Sequence, residues 1–331
     1  MSIDPDDFEL KLEITEKCNS KCTFCHQNFG NRGSKEQMPF SKAAFWIQWA
    51  KDQKISVIRL TGGEPMLHRD LLKICTFASS LGLQVTVNSN GYAKKESYRR
   101  LHPFVKVLKI SLPLILSDKL TNITGVKGSL QKKLNAVINA LDIGFEVEIL
   151  TVMLTDNIDV IEEYVLFVKD IPSLSWVPLR LESSSSDLNP LSPDVIQTIA
   201  ESWLYLMNKY PNHMPKLRLA TPFCAVDPIE LGAQVFTGRR QDCGPFKSLT
   251  IDVAGRLIAC YSCRVPFQKT SSLAEVSSDP EYLRLTRTDD LPHKCLKCCY
   301  LDICMGGCVS PHALVTYQGK KIDYLATFNN E

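Results

Sequence analysis

Short apolar runs alternate with longer amphipathic stretches over somewhat more than the first half of the chain. Residues 8–15, 55–60, 83–88, 105–110, 145–152 and 174–181 read as strands: brief, rich in branched and aromatic residues, and bounded by turn formers. Between them, apolar positions take helical spacing near residues 40–52, 68–81, 93–101, 129–143 and 158–169. Six βα units of this size predict an α/β fold, with a parallel sheet and outer helices forming a partial (β/α)6 barrel of the TIM type. Ligands in such folds sit at the carboxyl ends of the strands. The pattern breaks near residue 182. A serine run at 183–186 and the pairs Asn189-Pro190 and Ser192-Pro193 predict a loop leaving the barrel. A helix over 193–209 follows, with Val195, Ile199, Trp203 and Leu206 at core spacing, and Pro211 and Pro215 end it. We therefore expect a barrel core over 1–215, including a linker and bridging helix at 183–215, and a small cysteine-rich domain over 216–331.

Composition narrows the partners. A chain of 331 residues that is 44% apolar can bury a sizeable core, and its net charge of +2 gives no footprint for nucleic acid. The basic pairs Lys94-Lys95, Arg99-Arg100, Lys132-Lys133 and Arg239-Arg240 read as solvated faces. The acidic opening Met1-Ser-Ile-Asp-Pro-Asp-Asp lacks the apolar region of a signal peptide, and no apolar run of about 18 residues is present, so neither secretion nor a membrane span is expected. Thirteen cysteines in such a chain point to metal ligation in a reducing, cytoplasmic setting rather than to disulfides. All but Cys75 lie in an N-terminal loop or the last third of the chain. Cys75 sits in an apolar helical run and reads as core.

Cys18, Cys22 and Cys25 follow the first strand as C-x3-C-x2-C. Three thiolates from one loop can hold three corners of a cubane iron–sulfur cluster and leave one iron open. A zinc site completed by His26 is the alternative for this loop alone. The second strand runs into Thr61-Gly62-Gly63-Glu64-Pro65, where glycines allow close backbone approach to a ligand and Glu64 adds an acceptor. Together these motifs resemble the radical S-adenosylmethionine (SAM) superfamily, and Phe24 before the third cysteine fits as well. The resemblance implies the same partial barrel, a [4Fe–4S] cluster on Cys18, Cys22 and Cys25, and S-adenosylmethionine chelated by its open iron. It places Gly62, Gly63, Glu64 and Pro65 against the methionyl amine. It also implies cleavage of the cofactor to a 5′-deoxyadenosyl radical by a reductant such as flavodoxin or ferredoxin. Asn90, in Ser89-Asn90-Gly91, matches a cofactor-binding turn of the family or is an ordinary turn. Ser111 matches a position near the ribose, although Pro113 replaces the aspartate that relatives carry two residues later. Arg180 faces the cofactor or solvent.

The last third of the chain reads Cys243-x11-Gly255-x4-Cys260, then Cys295-x2-Cys298-x5-Cys304-x3-Cys308. Residues 246–259 predict a hairpin turning at Ala254-Gly255. This arrangement resembles the SPASM domain, which holds auxiliary [4Fe–4S] clusters in many radical SAM maturases. The resemblance assigns Cys224, Cys243, Cys260 and Cys308 to a first auxiliary cluster, and Cys295, Cys298 and Cys304 to a second. No cysteine follows Cys308, so the second cluster lacks its expected fourth ligand. Cys263, Cys299, His312, Asp302 or Asp323 can fill the place, the iron can stay open, or zinc can occupy a remnant site. One or two auxiliary clusters are therefore expected.

The resemblance favours net oxidation or cross-linking of a peptide or protein side chain. With seven residues before the first strand, no leader-binding domain is expected, so a separate recognition protein or the barrel rim would bind a peptide. A dehydrogenase or epimerase acting on a small metabolite is the second reading, and a non-enzymatic zinc-stabilised binding protein the third. A molybdopterin-precursor cyclase has similar length, but its shorter cysteine pattern and double-glycine terminus do not match Asn329-Asn330-Glu331. No catalytic base can be named. Asp252, Tyr261 and His312 neighbour expected ligands and read as structural polar groups.

Overall fold

In the computed structural model, which describes residues 8–25, 27–115, 119–180, 192–218, 220–242, 244–309, 314–317, 319–323 and 325–326, the expected strands form in chain order. β1 (Glu9–Thr15), β2 (Val57–Gly62), β3 (Gln84–Ser89), β4 (Val107–Ser111), β5 (Glu146–Val152) and β6 (Leu174–Leu179) pair in parallel, each with the next. Side chains alternate across a strand. Leu10, Leu12 and Ile14 of β1 are fully buried, whereas Glu9, Lys11 and Glu13 take the other face. There Glu9 pairs with Arg59 of β2 at 2.7 Å and with Lys11 at 3.4 Å, and Lys109 of β4 pairs with Glu148 of β5. One face of the sheet is thus apolar, and the other carries charges joined across neighbouring strands.

Helices α1 (Phe29–Arg32), α2 (Phe40–Asp52), α3 (Leu71–Ser80), α4 (Lys95–Leu101), α5 (Lys119–Thr124), α6 (Ser129–Ile143), α7 (Ile161–Val168) and α8 (Pro193–Lys209) intervene or follow. Of the five long segments read as helical between the strands, 40–52 and 129–143 appear at the expected bounds, and the other three start two or three residues later. The start of the 68–81 stretch instead belongs to a loop after a 3-10 turn over Pro65–Leu67. The short α1 and α5 were not expected, because helices of four and six residues show no periodicity. α8 begins at Ser192, whose hydroxyl accepts the Val195 N–H, with Pro193 in the first turn. Ile196, Ile199, Trp203 and Leu206 are buried along it, and Val195 lies half-buried at the edge.

β7 (Ser248–Ile251) and β8 (Leu257–Ile258) form the expected antiparallel hairpin, with Gly255 at its turn in the left-handed region (φ +86°). The hairpin also extends the barrel sheet: β7 pairs in parallel with β1, giving the order β6-β5-β4-β3-β2-β1-β7-β8. α2 holds it from outside. Trp46 Nε1 donates to Gly255 O at 3.1 Å, Trp49 Nε1 to Ser271 O at 3.1 Å, and Lys42 Nζ to Ala254 O at 2.6 Å. A second hairpin, β9 (Leu314–Tyr317) and β10 (Lys320–Asp323), lies outside this sheet. No helix among the described residues is long and apolar enough to cross a membrane. The serine run at 183–186 and the proline pair at 190 fall outside the described residues.

Candidate metal and cofactor site

The three N-terminal cysteines leave the end of β1 and are braced from two sides. From β2, Gly63 N–H donates to Thr15 O at 2.6 Å and Glu64 N–H to Lys17 O at 2.8 Å. A Cβ on Gly62 (φ +127°) would lie 2.2 Å from Thr15 O, and one on Gly63 2.4 Å from Lys17 O. The glycines are therefore required first by the approach of the cysteine loop's own backbone. From α5, the carbonyls of Thr124 and Ile123 accept the N–H groups of Lys21 and Thr23, each at 2.9 Å. Ser20 Oγ donates to Thr124 O at 2.9 Å and lies 3.0 Å from Cys22 Sγ. Gln27 Nε2 ties the loop to Tyr261 O at 2.7 Å. Phe24 packs half-buried against the core. His26 lies outside the described residues.

Glu64 joins the rim together. Its buried carboxylate accepts from Met66 N–H at 3.0 Å, Ser89 Oγ at 3.0 Å and Asn90 N–H at 2.6 Å. Pro65 is buried at the start of the 3-10 turn. The Asn90 side chain reaches back to the cysteine loop, donating to Asn19 Oδ1 at 2.7 Å and lying 4.0 Å from Cys18 Sγ. The Gly-Gly-Glu-Pro turn, the Ser-Asn-Gly turn and the cysteine loop thus meet at the carboxyl ends of β1, β2 and β3. Ser111 ends β4 on the same rim, and Lys133 links it in by donating to Ser111 O at 2.7 Å and Asn90 O at 2.6 Å. Lys133 is not a solvated residue, contrary to expectation. With Ser129, Ala136, Val137 and Ala140 it forms the buried face of α6, a helical spacing visible in the sequence.

Burial dominates the electrostatics of the rim. It pushes the Cys18 thiol up to about 11, with Glu64, Cys22 and Cys25 adding to the rise. Cys22 is raised by burial too, against the pull of Ser20 and Lys133. Burial lowers Lys133 to about 8, opposed by Cys22, Glu64 and Cys18. The Glu64 carboxyl is raised by burial, opposed by the hydrogen bonds from Asn90, Met66 and Ser89. The Cys18 and Cys22 thiols, which burial makes harder to ionise, are suited to a cationic iron centre, which stabilises thiolates.

The C-terminal cysteines divide differently from the expected sets. Cys224, Cys295, Cys298 and Cys304 line one cavity of about 550 Å³. Burial pushes Cys224 up to about 12, with Cys304, Cys295 and Cys298 adding to the rise. Burial raises the Cys304 thiol, opposed by the nearby backbone N–H groups of Phe223, Gly306 and Gly307, and Cys298 Sγ accepts Tyr300 N–H at 3.4 Å. Cys260, Cys263 and Cys308 lie elsewhere, with Cys263 N–H donating to Cys260 Sγ at 3.3 Å and Cys263 Sγ to Val309 O at 3.6 Å. Cys243 and His312 fall outside the described residues. Among the described residues, no three His, Cys, Asp or Glu side chains close around a single metal ion. Four thiols around a wide cavity fit the larger body of an iron–sulfur cubane better than one zinc ion.

Other expected ligands have different partners. Arg180, just past the end of β6, is buried rather than solvated: its guanidinium forms a bidentate pair with Asp323 (Nη2–Oδ1 2.9 Å) and donates to Ala220 O at 3.4 Å. Asp323 also accepts N–H groups from Cys308 and Leu325, so it is a structural acceptor rather than a metal ligand. Asp252 is buried and accepts Arg256 Nε at 2.7 Å. The Tyr261 ring receives Lys11 Nζ 5.2 Å from its centroid. Asp302 and Cys299 are exposed, and Cys75 is core.

The Radical SAM superfamily model matches residues 12–168. A probable GTP 3′,8-cyclase of Saccharolobus islandicus is 30% identical over 138 residues, 41% of this chain and 44% of that protein. The GTP 3′,8-cyclase of Campylobacter lari is 24% identical over 264 residues, covering 76% of this chain and 79% of that one. The chain thus spans less than half the length of the more identical of these relatives. Among solved structures, Streptococcus suis SuiB bound to S-adenosylmethionine shares the fold with a TM-score of 0.71 at 20% identity, over 92% of this chain and 74% of that one. Native anSMEcpe with bound AdoMet shares it with a TM-score of 0.70 at 15% identity, over 96% of this chain and 93% of that one.

Proposed function

We propose, from the match of residues 12–168 to the Radical SAM superfamily model and the geometry of the rim, that the protein is a radical SAM enzyme that oxidises or cross-links a peptide or protein side chain by hydrogen abstraction. The bound cofactors, S-adenosylmethionine and a [4Fe–4S] cluster, supply a 5′-deoxyadenosyl radical on one-electron reduction by a protein such as flavodoxin or ferredoxin. Cys18, Cys22 and Cys25 would hold the cluster, and Gly62, Gly63, Glu64, Pro65, Asn90 and Ser111 would shape the cofactor's side of the rim. Phe24 packs against the core beside the loop. The observation that carries the reading is the meeting of three strand ends through the Glu64 carboxylate and the Asn90 side chain, beside Cys18.

The peptide substrate is supported by fold neighbours described as SuiB bound to precursor peptide SuiA and anSMEcpe bound to AdoMet and the Kp18Cys peptide. The C-terminal cysteines, as hosts of auxiliary clusters, support net oxidation over rearrangement, since such clusters can accept an electron. A separate peptide-recognition protein fits this reading. The second reading, a small-metabolite substrate, is favoured by the sequence relatives named GTP 3′,8-cyclase.

Anaerobic protein reconstituted with iron and sulfide, then given S-adenosylmethionine and dithionite, is expected to release 5′-deoxyadenosine and methionine. Cys22→Ala is expected to abolish both products. Product release that survives this substitution, or its absence from the parent protein, overturns the radical reading. Deuterium transfer into 5′-deoxyadenosine from a labelled peptide substrate, but not from labelled GTP, would separate the two substrate classes.

A further inference from the structure

We propose that Cys224 is the fourth ligand of the second auxiliary cluster, so that Cys224, Cys295, Cys298 and Cys304 form a closed all-cysteine site. The inference rests on the radical SAM reading only in taking an iron–sulfur cluster as the group that these thiols hold.

Sequence order alone sends Cys224 to the other set, because it lies upstream of the β7–β8 hairpin. Three features of the fold hold it against the loop over 295–304 instead. The four thiols line one cavity of about 550 Å³. Cys224 lies in a 3-10 turn over Phe223–Ala225, and a helix over Ile229–Val235 presses directly on that turn. The contact is so close that a Cβ on Gly232 would lie 2.2 Å from Phe223 O. The flanking Phe223 ring then packs edge-on against Tyr300, which stands between Cys298 and Cys304, at 5.5 Å between centroids. This aromatic pair fastens the Cys224 turn to the loop that carries the other three thiols.

The chain separates Cys304 from Cys308 just as firmly. Met305, Gly306 and Gly307 take successive left-handed conformations (φ +48°, +72° and +80°). Their reversal is closed by Gly307 N–H donating to Cys304 O at 3.1 Å and carries Cys308 away, where its own N–H donates to Asp323 at 2.8 Å. Cys263 then stands beside Cys260 and near Cys308, on the side where Cys224 was expected.

Four thiolates occupy every iron corner of a cubane, so this site offers no vacant iron to a substrate. Neither the open-iron form nor the zinc remnant is needed to explain the lack of a cysteine after Cys308.

The test counts iron and acid-labile sulfide in the full chain after anaerobic reconstitution. The background carries Cys18→Ala, Cys22→Ala and Cys25→Ala, so only auxiliary iron is counted. Adding Cys224→Ala should remove about four irons per chain, or leave the EPR signal of a three-iron cluster. The decisive step is pairing. Combined with Cys298→Ala, it should cost no more iron than Cys298→Ala alone, whereas with Cys260→Ala the losses should add. The reverse pattern returns Cys224 to the first set and overturns the proposal, as does an unchanged iron content. If Cys224→Ala proves insoluble, Cys224→Ser should shift the EPR spectrum of one reduced auxiliary cluster, and the shift should be absent when Cys298→Ala is also present. A spectrum unaffected by Cys224→Ser overturns the assignment. A background without auxiliary iron also overturns it, yet leaves cofactor cleavage by the parent protein as an independent result.

Discussion

Glu64 shows how one side chain can set the geometry of a cofactor rim. Both of its carboxylate oxygens are used within the protein: Oε1 accepts from Met66 N–H and Ser89 Oγ, and Oε2 from Asn90 N–H. Glu64→Gln keeps the shape but turns an amide N–H2 toward a donor, leaving a buried donor unmatched at a cost of about 1–3 kcal/mol. Urea unfolding should show that loss before any cofactor is added. Gly62→Ala should act differently, because its Cβ meets Thr15 O at 2.2 Å and forces the cysteine loop to move. The expected result is a fall in iron bound at Cys18, Cys22 and Cys25, measured in a variant lacking the auxiliary cysteines, with a smaller change in thermal stability. Both residues were legible in the sequence as part of a motif, but their immediate partners were not. Lys133 was misread outright. A basic pair at 132–133 looks like a solvated face, yet the i, i+3, i+4 spacing to Ala136 and Val137 puts one member of the pair inside. Lys133→Met should unpair the carbonyls of Asn90 and Ser111 and destabilise the chain by about 2–4 kcal/mol, read by denaturant titration.

Among elements, the long strands and helices follow their periodicity, and the pieces that periodicity cannot describe matter most for the site. α5 has six residues and no repeat to detect, yet its last carbonyls hold the cysteine loop. The 3-10 turn that carries Cys224 is three residues long, and only its packing against Gly232 and Tyr300 decides which thiols it joins. The SPASM resemblance therefore grouped Cys295, Cys298 and Cys304, which line one cavity, whereas membership from a distant turn depends on tertiary contact. Arg180 illustrates the same limit, since its partner Asp323 lies 143 residues away on β10. Both groups are buried, and the pair connects the end of β6 to the C-terminal hairpin. Asp323→Ala would leave a buried guanidinium without its carboxylate and should cost about 3–5 kcal/mol. Equilibrium unfolding should register that cost even with S-adenosylmethionine absent. An effect confined to cofactor affinity would instead return Arg180 to the rim.

For the whole molecule, the question is whether the barrel and the cysteine-rich region are separable units, as a composition shift near residue 182 suggests. The sheet argues that they are not. β7 lies in parallel beside β1, and its Leu249 and Ile251 are fully buried. Without β7, the edge of β1 would offer unpaired backbone groups to other chains, which is a recognised route to aggregation. The indole N–H groups of Trp46 and Trp49 on α2 would also lose their acceptors at Gly255 and Ser271. Glu13, buried on β1, would lose the guanidinium of Arg264, which pairs with it at 2.9 Å. These losses fall on the strand that feeds directly into the cysteine loop, so the cost would reach the cofactor site. A fragment over residues 1–215 should therefore express as insoluble protein, or unfold well below the full chain without binding iron at Cys18, Cys22 and Cys25. The full chain should unfold in one cooperative transition, followed by calorimetry and by tryptophan fluorescence together. A soluble fragment that binds iron and melts like the intact protein would show that the barrel stands alone and that β7 only decorates its edge.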